Sequence, residues 1–107
     1  MNKPLILVTG ATGKTGRATV ERLLAEGYPV RAMARRRDER SEALEALGAE
    51  VVFGDFHDLD AIRGAVAGAQ RAYFCYPPQV THLVDATAIF AIAARDAGID
   101  TVVNMSQ

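Results

Sequence analysis

The stretch Val8-Thr9-Gly10-Ala11-Thr12-Gly13-Lys14-Thr15-Gly16 decides the fold. A short apolar run, Leu5-Ile6-Leu7-Val8, precedes it, and a helical pattern from Arg17 to Glu26 follows. A buried strand therefore runs into a glycine-rich turn and on into a helix N-terminus. Such a turn is an anion site: glycines let backbone N–H groups approach a phosphate, and the helix dipole favours negative charge there. The glycines follow the spacing Gly-x-x-Gly-x-x-Gly, at 10, 13 and 16. Gly10 suits the tight turn, Gly13 the close approach of a pyrophosphate, and Gly16 close packing of helix on strand. A glycine triplet alone says little. The strand before, the helix after and a second strand, Val30 to Ala34, where the crossover returns make it a dinucleotide-binding turn.

Gly13-Lys14-Thr15 also ends like a nucleoside-triphosphate P-loop, Gly-x-x-x-x-Gly-Lys-Thr. The first glycine of that pattern falls on Val8, inside the apolar strand, so the loop is too short to wrap a triphosphate. An aspartate ending an apolar strand, the metal partner of a P-loop, is sought in Val51-Val52-Phe53-Gly54-Asp55, but Gly54 interrupts it.

Outward from the turn, Gly27, Gly48, Gly68 and Gly98 each sit where a helical pattern stops, and a strand-like run follows each. Glycine just past a helix end is favoured because it takes the left-handed conformation cheaply. The expected strands are Leu5 to Thr9, Val30 to Ala34, Val51 to Phe53, Arg71 to Cys75 and Thr101 to Met105. The expected helices run from Lys14 to Glu26, with Ala18, Val20, Leu23 and Leu24 facing in, and from Ser41 to Leu47, with Leu44 and Leu47 facing in. A third, Leu59 to Ala67, carries Asp58 as N-cap and buries Leu59, Ile62 and Val66; a fourth spans Thr81 to Ala97. Arg35 to Arg40 reads as a charged loop, and Tyr76-Pro77-Pro78 breaks the fourth strand. This alternation predicts an α/β fold: a Rossmann-type, doubly wound parallel sheet in the order 3-2-1-4-5, with helices on both faces. Ligands bind such sheets at the carboxyl ends of the strands, between strands 1 and 4.

Length predicts one domain, residues 1–107. A net charge of −1 gives no basic surface for nucleic acid, and no run of about 20 apolar residues could span a membrane. Leu5 to Val8 is too short for a secretory leader. The single cysteine, Cys75, excludes an internal disulfide and fits a reducing cytoplasm, and two scattered histidines, His57 and His82, do not suggest a metal site.

An NAD site usually places an acidic residue after the second strand to accept from the ribose 2′-hydroxyl. This chain has Arg35, Arg36 and Arg37 instead, and a 2′-phosphate wants guanidinium donors. NADP is therefore expected over NAD, with Arg35, nearest the strand end, as the first ligand and Arg36 beside it. Three consecutive arginines cannot all face one phosphate, so at least one is surface. Lys14 and Thr15 lie inside the phosphate turn. Asp55 and Phe56 flank the adenine, with Asp55 either accepting from its amino group or capping the next turn. Cys75 and Tyr76 pass near the ribose or nicotinamide, Cys75 as a small hydrophobe rather than a nucleophile.

These residues together resemble the N-terminal half of an atypical short-chain dehydrogenase of the NmrA-like group. The likeness lies in Val8 to Gly16, in Arg35, in Gly54-Asp55, in Ala94-Arg95-Asp96-Ala97-Gly98 and in Asn104-Met105-Ser106. It implies NAD(P)H-dependent reduction of a small electron-poor acceptor such as a quinone or dye. The group's regulators imply an alternative, a non-catalytic NADP sensor that binds a protein partner. By resemblance, Gly10, Thr12, Gly13, Lys14, Thr15 and Arg35 hold the cofactor, and Ser106 lies near the nicotinamide; it is read either as a catalytic group that hydrogen-bonds the acceptor or carboxamide, or as a plain turn residue at the strand end. The Tyr-x-x-x-Lys motif of acid–base members is absent: four residues after Tyr28, Tyr73 and Tyr76 stand Ala32, Pro77 and Val80. That motif normally lies beyond the fifth strand, so the chain is expected to be the N-terminal part of a longer one, inactive by itself. An unpaired edge at the fifth strand favours self-association into a homo-oligomer.

Overall fold

A computed structural model of the chain describes residues 3–55, 58–75, 92, 95, 97–99 and 101–105. Its strands are β1 (Ile6–Val8), β2 (Val30–Ala34), β3 (Glu50–Phe53), β4 (Arg71–Cys75) and β5 (Thr101–Met105). Helices α1 (Lys14–Ala25), α2 (Glu39–Leu47) and α3 (Leu59–Val66) connect the first four in chain order. The fourth predicted helix lies almost wholly outside the described residues. All strand pairs are parallel, in the order β3-β2-β1-β4-β5, as the sequence predicts. Ile6 stands beside Val30 on one side and Arg71 on the other, so β1 is the centre from which the chain winds both ways.

β1 is apolar throughout because both its faces are covered, as parallel strands require. Ile6 and Val8 pack with Val20 and Leu23 of α1, Leu44 of α2, and Val30 and Ala32 of β2. Leu7 turns to the other face and meets Met33, Ala72, and Ile62, Ala65 and Val66 of α3. Ile6, Leu7 and Val8 are each at most 1% exposed. Full burial of one such side chain contributes about 1.5–3 kcal/mol, so this short strand ties the two half-cores together.

The glycines expected after helix ends all have positive φ, from 76° at Gly98 to 109° at Gly48. Three expectations need correction. Ala18 is exposed: the buried stripe of α1 is Gly16, Val20 and Leu23, and Ala18 instead lines a groove of about 630 Å³ between α1 and Tyr73 of β4. Leu47 is 42% exposed, because the chain turns at Gly48 and the buried place beyond Leu44 goes to Ala49. The charged loop is shorter than predicted, because α2 starts at Glu39 and not Ser41. Asp38 is its N-cap, accepting from the N–H groups of Arg40 and Ser41, both at 3.0 Å. Ser41, fully buried, accepts from the Asp38 N–H at 2.9 Å and donates to the Asp38 carbonyl. This capping box satisfies the polar groups that a loop would have left to water.

Arg31, half-buried on β2, grips the end of α3. Its Nη1 donates to the carbonyls of Ala65 (2.8 Å) and Ala67 (2.6 Å), and its Nε lies 3.1 Å from Glu50 on β3. A cation is favoured at a helix C-terminus, where carbonyls lack intrahelical partners.

Candidate functional site

The glycine turn leaves the central strand at the carboxyl edge of the sheet and is held by both neighbours. The Thr9 N–H donates to the Tyr73 carbonyl of β4 (3.0 Å), and the Ala11 N–H to the Met33 carbonyl of β2 (3.4 Å). Gly10 has φ +60°, and the Gly13 N–H closes the turn on the Gly10 carbonyl at 3.0 Å. α1 then begins against this turn. A Cβ on Gly16 would stand 2.2 Å from the Gly10 carbonyl oxygen and 2.9 Å from the Ala11 Cα, both backbone atoms. Only glycine lets the first turn of α1 lie so close to the loop.

The start of α1 is chemically unlike the other two. α2 and α3 are capped by Asp38 and Asp58, which accept from backbone N–H groups, and carry further acids in their first turns. α1 has Gly13 at its N-cap, no side-chain cap hydrogen bond and no acid in its first turn. Its initial N–H groups therefore await an acceptor from outside the helix. Lys14 is exposed at the same point, while Thr12, Gly13 and Thr15 are half-buried. The dipole and the lysine favour an anion together.

The neighbouring strand ends bring up cations. Ala34 pairs with Phe53, so the residues after β2 and β3 lie side by side. Arg35 Nη2 is 3.9 Å from Asp55 Oδ2, with both side chains well exposed. Arg36 lies 3.8 Å from Asp38, and Arg40 3.9 Å from the same carboxylate. The hydrogen bond from the Ser41 N–H, helped by that from the Arg40 N–H and by the charges of Arg40 and Arg36, holds Asp38 below the ordinary aspartate pKa against the opposing effect of burial. Arg37 is committed elsewhere: it pairs with Glu45 at 3.0 Å and lies over the Phe53 ring at 4.9 Å.

Gly10, Thr12, Gly13, Lys14, Thr15 and Gly16 thus lie together, with Arg35, Arg36 and Asp55 along the same edge. Cys75 ends β4 at that edge, and its side chain lies outside the description, as do Phe56, Tyr76 and Ser106 entirely. Among the described residues no three His, Cys, Asp or Glu side chains gather as a metal site, and no helix is long and apolar enough to cross a membrane. Sequence reading missed two contacts here. One is Arg35 with Asp55, which the β2–β3 register would have suggested. The other is Gly54, where a Cβ would stand 2.7 Å from the Ala61 Cβ of α3, so glycine lets α3 close on the end of β3.

Comparison with known proteins matches this arrangement. The NmrA-like family profile covers residues 2–106. The triphenylmethane reductase of Citrobacter sp., crystallised with NADP(H), is 30% identical at a TM-score of 0.78, over 94% of this chain and 36% of that one. The NADPH-dependent quinone oxidoreductase of Escherichia coli, complexed with NADPH, is 26% identical at a TM-score of 0.80, over 92% of this chain and 35% of that one. The (4-alkanoyl-5-oxo-2,5-dihydrofuran-3-yl)methyl phosphate reductase of Streptomyces griseus is 38% identical over 102 residues, 95% of this chain and 34% of that protein. The chain spans about a third of the length of each. With the glycine turn, the sheet order and this likeness in agreement, the chain belongs to the NmrA-like family.

Proposed function

We propose that this chain binds NAD(P)H, with NADPH preferred, as the nucleotide-binding part of a reductase acting on a small electron-poor acceptor such as a quinone or dye. The observation that carries the reading is the uncapped, acid-free start of α1 packed on a turn that excludes any Cβ at Gly16. Those features fit a dinucleotide diphosphate: the first N–H groups of α1 donate to it and Lys14 adds charge, while the turn from Gly10 to Gly16 lets it come close. Arg35 and Arg36 take the 2′-phosphate; Asp55 and Phe56 flank the adenine; Cys75 and Tyr76 border the ribose and nicotinamide; Ser106 orients the carboxamide or the acceptor. Reductases among the relatives, two of them crystallised with the phosphorylated cofactor, support the assignment. The bound nicotinamide would supply hydride. The residues of this chain contribute position rather than a proton, which suffices when the acceptor is already activated. The single cysteine fits a reducing compartment such as the cytoplasm.

Titration of the purified protein with NADPH, followed by the coenzyme's fluorescence, tests the site. Saturable binding below millimolar concentration is expected, and none at millimolar dose overturns the reading. Arg35→Ala removes a charge-assisted contact of about 1.5–3 kcal/mol, so NADPH affinity should fall tenfold or more while NADH affinity changes little. Equal losses would show that the arginine is not read by the 2′-phosphate. Full-length protein that binds NADPH yet reduces no quinone, dye or aldehyde would be a cofactor sensor rather than a reductase.

A further inference from the structure

Among the described residues, Arg35 is the one of the three arginines after β2 that faces a carboxylate borne by the neighbouring strand's end. Asp55 stands at 3.9 Å from it, beyond the 2.7–3.2 Å of a hydrogen bond. Asp55 therefore attracts the guanidinium without occupying its donor hydrogens at that contact. The side chains remain 74% and 50% exposed, so an incoming ligand can reach both.

We propose that Asp55 is a specificity-determining residue that restrains the preference of Arg35 for a 2′-phosphate over a 2′-hydroxyl. The inference rests on the reading of Arg35 as the 2′-phosphate ligand. A phosphate seated on Arg35 shares one guanidinium with the Asp55 carboxylate, and the two anions repel. A 2′-hydroxyl carries no charge and meets no such opposition. Asp55 thus lowers affinity for the phosphorylated coenzyme selectively and narrows the gap between NADPH and NADH. A role confined to the adenine would act equally on both coenzymes, since they share that ring.

The test is calorimetric titration of the purified protein and its Asp55→Asn variant with NADPH and with NADH. Exposed charge pairs of this kind are worth up to about 1 kcal/mol, so Asp55→Asn should raise the ratio of NADPH to NADH affinity roughly two- to fivefold, on top of any common change that the shared adenine brings to both. The gain should shrink as salt is raised, and its size should differ when Asp55→Asn is made in the Arg35→Ala background, as a coupled pair requires. Asp55→Ser should act in the same direction, which separates lost charge from a peculiarity of asparagine. An NADPH-to-NADH affinity ratio that stays unchanged or falls in both variants overturns the proposal. Wild-type protein that binds neither coenzyme overturns the parent reading instead.

Discussion

Gly16 is where the missing side chain matters most. In Gly16→Ala the added methyl would meet backbone atoms of Gly10 and Ala11, which cannot rotate away as a side chain can. Overpacking commonly costs about 1–3 kcal/mol, and relief would have to come from α1 moving off the turn. Urea unfolding should therefore show a loss of that order, and NADPH binding should weaken further because the first-turn N–H groups shift. Unchanged stability and binding would mean the turn adapts. The glycine turn was legible because it is local: spacing, strand and helix all lie within consecutive residues. The Arg35–Asp55 contact was not, because it joins residues 20 positions apart whose approach depends on how Ala34 registers with Phe53.

Helix α2 shows where pattern reading fails. Apolar spacing suggested a start at Ser41, but hydrogen bonding sets the start: Asp38 caps, and Ser41 returns the bond from N3. Period alone cannot tell a capping serine from a helical one. Leu47 misled for a related reason, since an apolar residue in the final turn was read as core although the chain leaves the helix at Gly48. The strands, by contrast, were found to within a residue or two, because unbroken apolar runs between glycine stops leave few alternatives. The cap has a pH signature. Asp38 has a depressed pKa when folded, so its contribution is fully present above the unfolded-state value, about 3.9, and is lost as pH falls through the folded one. Asp38→Asn keeps a competent cap but no charge. Between pH 5 and 2 the variant should lose less stability than the wild type, as urea midpoints would show; parallel losses would exclude Asp38 as a source of the acid sensitivity.

Among the described residues the two half-cores lie on opposite faces of the sheet, with β1 and β2 contributing to both. A ligand at the end of β1 touches the turn that closes onto both β2 and β4, so its binding should stabilise the fold as one cooperative unit. At about 100 times its Kd, NADPH would add roughly 2.7 kcal/mol, which for a domain of this size should raise the melting temperature by roughly 10 °C or more. NADH at the same concentration should raise it less. A shift confined to part of a biphasic transition would show that the halves melt separately.

Arg31 has a wider implication. At the sheet's amino edge, side chains bolt the parts together: Arg31 spans from β2 to the last carbonyls of α3, and Lys3 reaches both the Glu26 carbonyl and the Tyr28 ring. At the opposite edge, Arg35 with Asp55 and Arg36 with Asp38 make long ion pairs that cost little to rearrange. The molecule has a clamped heel and an editable lip. Under the proposed reading, substitutions along that lip would change ligand preference while the clamp keeps the scaffold assembled.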